Sequence, residues 1–165
     1  MKHSGDNGVR GIYGEQATVV AVPAHNEAER IVRCVRALLD QRTLGGSRLH
    51  AGALKIVVLA NNCTDGTADL VRAMGSEQVR VAEIAFADTQ ANAGMARRAA
   101  MDAAAAMLPD TGGLICTTDG DSRPRRDWIA HLWAETAQGA EAVAGAIDFD
   151  PQEGGAPSVS PRRPA

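Results

Sequence analysis

Aromatic side chains are scarce in this chain, where Phe, Trp and Tyr make up 3% of 165 residues. This scarcity argues against a surface that binds single-stranded nucleic acid by stacking bases on aromatic rings. Basic residues are not in excess either, because 17 Lys and Arg stand against 20 Asp and Glu and the formal net charge is −3. Since phosphate backbones are normally bound by clustered Lys and Arg, the charge balance argues against nucleic acid as the main partner.

Long apolar segments are missing as well. The longest apolar stretch, residues 99–108, is rich in alanine and interrupted by Asp102, and it is much shorter than the roughly 18 residues of a membrane-spanning helix. Residues 1–16 are polar and glycine-rich, without the apolar core of a signal peptide. We therefore expect no transmembrane segment and a cytoplasmic protein, with peripheral attachment to the inner membrane as the alternative.

Cysteine is rare and forms no recognisable pattern. The cysteines are odd in number, far apart in the sequence and outside any C-x-x-C pair: Cys34, Cys63 and Cys116. Disulfide frameworks and zinc sites use paired or closely spaced cysteines. We therefore predict free thiols, buried or half-buried, in a reducing cytoplasm.

What the sequence does contain is an alternation of strand-like and helix-like patterns. Continuous β-branched or apolar runs at 17–22 and 54–59 predict strands that are buried on both faces, and further strands are predicted at 79–86, 113–117 and 142–149. Helical patterns lie between them, beginning near residues 26, 67, 95 and 124 and ending near 39, 74, 108 and 138. This alternation predicts an α/β fold, a Rossmann-type three-layer sandwich with a mainly parallel central sheet.

Two helix starts have local signals. Asn26 is a good N-cap residue, and Glu29 stands three residues later in an arrangement like a capping box. Pro124 suits the first turn of the last helix. Outside the domain at 17–150, we expect a flexible leader at 1–16 and, because 151–165 is rich in Pro, Gly and Ser, a disordered tail.

Polar residues follow three of the predicted strands at the point where each strand ends. They are His25, Asn26 and Glu27 after the first strand, Asn61, Asn62, Thr64, Asp65 and Gly66 after the second, and Asp119 and Asp121 after the fourth. Ligands of open α/β sheets bind beyond the carboxyl ends of the strands. The pattern therefore predicts one shared site at this edge of the sheet.

The sharpest single feature is Asp119-Gly120-Asp121. Two carboxylates on a turn that leaves a buried strand can converge on one hard cation, and Mg²⁺ or Mn²⁺ prefers such oxygen ligands and often shares them with substrate phosphates. The alternative is a solvated Asp-Gly turn in which Ser122 caps the next helix. An EF-hand is excluded, because no Glu ends a twelve-residue loop that begins at Asp119.

Four motifs together resemble family 2 glycosyltransferases, which have the GT-A fold. They are VAVPAHNE at 20–27, VLANNCTDGT at 58–67, NAGMAR at 92–97 and TDGD at 118–121, in the family's order. The resemblance spans residues 17–149. It implies a domain that binds a nucleotide-diphosphate sugar and a reaction, inverting and metal-dependent, in which an acceptor hydroxyl displaces the diphosphate.

The resemblance also implies roles on the nucleotide side of the site. Pro23, Ala24 and His25 would line the nucleobase pocket, with the His25 ring stacked on the base. Glu27 would lie near the base or the ribose, and Asn61 would contact the base. A surface-loop histidine and a first-turn carboxylate that complements the helix dipole are the respective alternatives for His25 and Glu27.

On the phosphate side, the resemblance places Arg97 or Arg98 near the diphosphate. Asp119 would approach the ribose or the metal, and Asp121 would bind Mg²⁺ or Mn²⁺. The alternative for either arginine is a solvated helix face.

Two departures from the family pattern matter. Ala60 and Asn61 stand where the family usually has an Asp-Asp pair; Asn can donate and accept hydrogen bonds but carries no charge. The nucleobase is therefore open, with UDP expected and GDP or dTDP as alternatives. The acceptor-binding half, with its general base and Gln-x-x-Arg-Trp motif, is not found in the sequence, so we expect a truncated member whose catalytic residues are unknown.

Alternative functions remain at this point. A non-catalytic or split-enzyme nucleotide-sugar-binding module, with a protein partner that supplies the acceptor half, is the second hypothesis. A nucleotidyltransferase is the third, although the first strand is not followed by a Gly-rich loop. The acceptor is unknown in each case.

Overall fold

A computed structural model describes residues 16–87 and 92–148. Within them, strands and helices alternate in the order β1 (Thr18–Ala24), α1 (Ile31–Leu39), β2 (Leu54–Asn61), α2 (Thr67–Arg72), β3 (Val79–Ile84), α3 (Ala93–Ala105), β4 (Leu114–Thr117) and α4 (Trp128–Ala137). The predicted leader up to residue 15 and the predicted tail lie outside the described residues.

The described strands form one four-stranded sheet in the order β3-β2-β1-β4, and every pair in it is parallel. Val20 of β1, for example, lies beside Ile56 of β2 on one side and Cys116 of β4 on the other. The β-branched runs of β1 and β2 are buried along most of their length, as expected for strands that are covered on both faces.

Helices cover both faces of the sheet, which gives the predicted three layers. On one face, Val20 and Val58 belong to a core cluster that includes Leu38 of α1, Val71 of α2 and Trp133 of α4. On the other face, α3 is the described helix that packs against β1, β2 and β4. Its contact surface is a stripe of small residues, Ala96, Ala100 and Ala104, each at most 2% exposed, and their four-residue spacing places them on one side of the helix.

Two buried hydrogen-bond systems attach α4 to the rest of the fold, one to the sheet and one to the segment after α1. The Trp133 indole N–H donates to Thr18 Oγ1 on β1 at 2.8 Å. Gln41, which is 2% exposed, donates to the backbone carbonyl of Arg125 at 2.7 Å and accepts from the backbone N–H of Ile129 at 3.0 Å. The start of the last helix is therefore fixed by a side chain that follows the first helix.

Three predictions of local structure are wrong. Residues 141–148 form no strand, so the fifth strand predicted at 142–149 is absent from its described part; no described strand pairs with it. Asn26 does not cap α1, which begins at Ile31 with no side-chain cap. Pro124 is outside the first turn of α4, because that helix begins at Trp128.

No helix among the described residues has the length and apolar character needed to cross a bilayer. The cysteines are free thiols, as predicted; two of them are buried and Cys63 is half-buried.

Candidate functional site

A cleft of about 390 Å³ opens at the carboxyl ends of β1, β2 and β4, beside the start of α3. Its lining residues are Pro23, Ala24, His25, Glu27, Asn61, Asn92, Ala93, Ala96, Arg97, Asp119, Gly120 and Asp121. All eight site residues selected from the sequence are therefore brought to one cleft. The roles assigned to them remain predictions.

The ring of His25 is oriented by the neighbouring strand. Its Nδ1 lies 2.8 Å from the backbone carbonyl oxygen of Asn61. Because a carbonyl can only accept, Nδ1 carries the proton in this contact and donates it. This bond connects the end of β1 to the end of β2 and limits rotation of the imidazole at the cleft.

Asn61 places an unpartnered amide in the cleft wall. The residue is 8% exposed and lines the cleft. Its side chain makes no hydrogen bond to any other described residue, whereas its backbone carbonyl accepts from His25. The two polar atoms of this amide are not among the fully enclosed side-chain atoms that lack a partner. The amide therefore faces the cleft, where water or a ligand can bond to it.

The other polar residues after β2 do not line the cleft but hold its loops together. Asp65 accepts from the backbone N–H of Ala28 at 2.9 Å and from the hydroxyl of Thr67 at 2.5 Å. The Thr67 hydroxyl oxygen in turn accepts from the backbone N–H of Glu27 at 2.9 Å. The Thr67 hydroxyl bond and the Ala28 N–H hold the pKa of Asp65 below its ordinary value, because these donors favour the ionised carboxylate.

Asn26 belongs to the same bracing system. Its φ is 54°, in the left-handed region that asparagine tolerates better than most residues. In that conformation its Oδ1 accepts from the backbone N–H of Thr64 at 2.8 Å. The residue therefore joins the loop after β1 to the loop after β2 and does not start a helix.

The acidic pair after β4 is divided into one paired and one unpaired carboxylate. Arg97 of α3 donates to Asp119 across the cleft at 2.5 Å, with both side chains about half exposed (43% and 50%). Asp121 makes no hydrogen bond or ion pair with the described residues. Arg98, the alternative arginine of the sequence analysis, lies outside the cleft lining and is 3.9 Å from Asp102.

Gly120, between the two carboxylates, is closely packed. A Cβ atom built there would lie 3.3 Å from Ala24 Cβ, Glu27 Cγ and Ile31 Cδ1. Its φ is not positive, so the turn does not depend on the left-handed freedom of glycine. The close approach of this loop to α1 determines where both carboxylates stand.

Burial and neighbouring charges act together on Glu27. Partial burial is the main cause that raises its pKa, the Arg30 guanidinium at 3.0 Å opposes the rise, and the Asp121 and Asp65 charges add to it. Burial also raises the pKa of the Cys34 thiol to about 12, with Asp121 and Asp119 as further causes. The field of the acidic pair therefore reaches the start of α1, as expected where negative charge is only partly balanced.

The donor chemistry of the cleft fits a divalent cation that arrives with phosphate. Among the described residues, no group of three or more His, Cys, Asp and Glu side chains could hold a metal by itself. Mg²⁺ is typically bound by one or two carboxylates together with water and substrate phosphate. The unpaired Asp121, with Asp119 beside it, provides that number of carboxylates.

The start of α3 adds cleft residues that the sequence analysis did not select. Asn92 caps the helix, because its side chain accepts from the backbone N–H of Met95 at 2.9 Å. Ala93 and Ala96 line the cleft beside it. The first turn of a helix has unpaired N–H groups and a positive dipole end, which favour anions. A signal for them was available in the sequence, since residues 92–97 form one of the four motifs that resemble the family.

Comparison with known proteins gives one family match and one curated relative. The family model described as glycosyl transferase family 2 matches residues 19–162. Glycosyltransferase AglE of Haloferax volcanii is 26% identical over 137 residues, which are 82% of this chain and 41% of that protein. The chain therefore spans less than half the length of this relative.

Solved structures of S. aureus TarS share the fold. The crystal structure of TarS residues 1–349 in complex with UDP matches with a TM-score of 0.57 and 17% identity, over 74% of this chain and 32% of that one. The complex with UDP-GlcNAc matches with a TM-score of 0.56 and 15% identity, over 74% and 31%. At these identities the comparison shows a common GT-A architecture.

Proposed function

The chain belongs to glycosyl transferase family 2, and from this we propose that its cleft binds a nucleotide-diphosphate sugar for transfer of the sugar to an acceptor hydroxyl. The expected nucleotide is UDP, which is the ligand named for the TarS structure. The acceptor is not assigned. A partner chain that supplies the acceptor half belongs to the alternative, in which the cleft is a nucleotide-sugar-binding module or part of a split enzyme.

The observation that carries this proposal is the unpartnered amide of Asn61 in a cleft that several strand ends build together. A planar amide offers a donor and an acceptor side by side. A uracil edge presents the complementary pair, an N–H beside a carbonyl oxygen. His25 stands next to Asn61 with its ring held by the Asn61 carbonyl, and an imidazole held in this way is suited to stack on a planar base.

The diphosphate belongs, in this proposal, near Arg97 and the first turn of α3. A guanidinium binds phosphate oxygens through paired N–H groups, and the helix start contributes unpaired backbone N–H groups. The existing pair with Asp119 keeps Arg97 at the cleft in the absence of ligand. When Arg97 turns to a phosphate, the Asp119 carboxylate is released for the ribose or a cation.

Asp121, with Asp119, would hold Mg²⁺ or Mn²⁺ in this proposal. When bound there, such a cation supplies a positive charge that stabilises the negative charge developing on the departing diphosphate. The protein's own part is to hold the carboxylates by packing Gly120 against α1. We expect inversion at the anomeric carbon, as the family resemblance implies.

Titration calorimetry with UDP-, GDP- and dTDP-sugars, with and without Mn²⁺, tests the proposal. We expect Mn²⁺-dependent heat for at least one donor and the strongest binding for UDP-sugars. Asp121→Asn should weaken metal-dependent binding by at least about tenfold, the scale of losses caused by changes around metal ligands.

The matched control is Asp110→Asn, which changes the charge equally in an exposed turn outside the cleft lining and should leave binding unchanged. Absence of metal-dependent binding for every donor would refute the proposal. UDP release measured on the same samples separates a transferase from a binding module, because a module binds the donor without turnover.

A further inference from the structure

The net charge of −3 conceals a strong separation of charge along the chain. Residues 30–48 and 123–126 hold eight of the 17 basic residues, all of them arginines, and only one of the 20 acidic residues. Their formal charge is therefore +7, whereas the rest of the chain carries −10. At the borders of these segments, Glu27 pairs with Arg30 and Asp127 pairs with Arg125.

The fold brings Arg42 and Arg48 of the first segment beside Arg126 of the second, and the surface that these three residues form is here called the arginine face. The backbone N–H of Arg42 donates to the carbonyl of Arg126 at 2.6 Å. Three guanidinium groups then share one carboxylate: Arg42 and Arg48 lie 3.3 and 3.4 Å from Asp40 Oδ1, and Arg126 lies 2.8 Å from Oδ2. One carboxylate cannot neutralise three arginines, and the Arg48 and Arg126 side chains are more than 70% exposed.

A short hairpin projects an apolar side chain from the arginine face. Arg42 and Arg48 form an antiparallel bridge, and the backbone N–H of Thr43 donates to the Ser47 carbonyl at 2.8 Å inside it. Leu44 stands at the tip and is 49% exposed. Arginines that flank an exposed leucine on a hydrogen-bonded turn can make charged contacts and an apolar contact at one place.

We propose that the arginine face attaches the protein to the surface of an anionic lipid bilayer. The guanidinium groups bind the phosphates of the headgroups, since Arg matches phosphate geometry through paired N–H groups, and Leu44 enters the apolar boundary beneath them. An anionic bilayer offers phosphate above hydrocarbon at a distance of a few ångströms. A polynucleotide or an inorganic phosphate offers the charge alone and gives the leucine no role.

Co-sedimentation of the purified full chain with lipid vesicles tests this attachment. We expect binding to vesicles that contain phosphatidylglycerol, little binding to pure phosphatidylcholine, and a steep decline as salt rises. Replacement of an arginine by glutamine should weaken binding about fivefold for each residue, in Arg48→Gln, in Arg126→Gln and cumulatively in the double variant. Arg80→Gln on β3, which is also exposed, makes the same change of charge elsewhere and should have no effect.

Leu44→Ser distinguishes the bilayer from other polyanions. It should weaken vesicle binding about fivefold, because the exposed half of the leucine side chain leaves water when the wild type binds, and the serine variant loses this apolar burial. Binding that is insensitive to Leu44→Ser, or equal binding to duplex RNA at the same salt, would overturn the proposal. None of these positions lines the cleft, so nucleotide binding by the variants stays unchanged and reports that they are folded.

Discussion

At the scale of single residues, we expect the Asn61 side chain to contribute to ligand binding but not to stability. Its amide makes no hydrogen bond to any other described residue, so the folded protein gains little from its polarity. We expect Asn61→Leu to leave the free energy of unfolding unchanged or slightly higher, because an apolar side chain removes an unpaired polar group from a site that is 8% exposed. UDP binding should weaken by about three- to tenfold, the value of one or two neutral hydrogen bonds.

Urea denaturation and calorimetry on the same preparation measure both quantities for Asn61→Leu. A parallel loss of stability and affinity would contradict the assignment, since it would show that the amide supports the fold. The nearby Asn62 provides a contrast, because its side chain donates to the Phe86 carbonyl at 2.9 Å and accepts from the Phe86 N–H at 3.0 Å. Asn62→Leu should therefore lower stability.

Asp65 gives a prediction about pH. Its pKa lies below the ordinary value in the folded protein, with the Thr67 hydroxyl as the largest cause. The ionised carboxylate therefore stabilises the fold above the unfolded pKa, near about 3.9, and this contribution is lost as the pH falls through the lower folded pKa. Asp65→Asn should lower the urea midpoint at pH 7, and the difference from the wild type should shrink in acid.

Urea midpoints between neutral and acid pH measure the effect of Asp65→Asn. Asp102→Asn, an exposed position on α3, is the control for loss of one negative charge and should show no such narrowing. A constant difference in urea midpoint between wild type and Asp65→Asn across the whole pH range would mean that the carboxylate charge does not contribute to holding the loops after β1 and β2 together.

At the scale of elements, close packing rather than backbone freedom explains two glycines. A Cβ atom at Gly113, just before β4, would collide with the Ala17 carbonyl and lie 2.8 Å from Leu108 Cδ2. That carbonyl already accepts from the N–H of Leu114 at 2.8 Å, so it cannot move without loss of a sheet bond. Gly113→Ala should cost about 1–3 kcal/mol or more in the free energy of unfolding.

Gly120→Ala should lower the free energy of unfolding less than Gly113→Ala does, because each contact at 3.3 Å can be relieved by a small shift. That shift moves the loop of Asp119 and Asp121, so metal-dependent donor binding should fall more than stability does. Gly45→Ala is the control: its Cβ would meet only Thr43 Oγ1 at 3.7 Å, and the effect should stay within about 0.5 kcal/mol. Equal losses at all three glycines would contradict the packing argument.

The elements also show what a single sequence can and cannot predict. The apolar runs of β1 and β2 were sufficient to predict both strands, because a continuous buried strand needs little beyond its own apolar side chains. Residues 142–149 have a comparable composition, yet in the described structure Val143 and Ile147 are 40% and 89% exposed and no described strand pairs with them. A strand requires a partner edge, which local composition does not specify.

The candidate site, like the fold, could be predicted from the sequence only in part. Its location could be predicted because parallel strands end at a common edge. The functions of Asn26 and Asp65 could not, because both are defined by bonds to residues about 37 positions away. Asn26 resembles a helix cap in sequence, and only the loop after β2 makes it a brace.

At the scale of the whole molecule, net charge proved a poor guide to surface charge. A formal charge of −3 argued against a clustered basic surface, yet the fold gathers three arginines from two distant segments around Asp40. The segments meet because Gln41 and Arg42 both bond to the backbone of the loop before α4. The composition gives only the total charge, so the separation of basic from acidic residues on the surface is visible only from the three-dimensional contacts.

The same contacts predict that the described domain unfolds as one cooperative unit. Both tryptophans, Trp128 and Trp133, belong to α4, so their fluorescence reports this last helix, whereas far-UV circular dichroism reports all helices and strands. Trp133 packs in the same core cluster as α1 and α2, and Gln41 joins the end of α1 to the start of α4. We therefore expect the two signals to share one urea midpoint.

Gln41→Leu tests the cause of that cooperativity. The substitution leaves the Arg125 carbonyl and the Ile129 N–H without their present partner, which should cost about 1–3 kcal/mol for each group that stays buried. The loss falls at the junction between α1 and α4, so we expect the fluorescence midpoint to move below the circular dichroism midpoint in this variant. Gln138→Leu, whose side chain donates only within its own helix end, to the Ala134 carbonyl at 3.1 Å, should keep the midpoints together. Separate midpoints in the wild type, or coincident midpoints in Gln41→Leu, would show that the Gln41 contacts do not couple the last helix to α1.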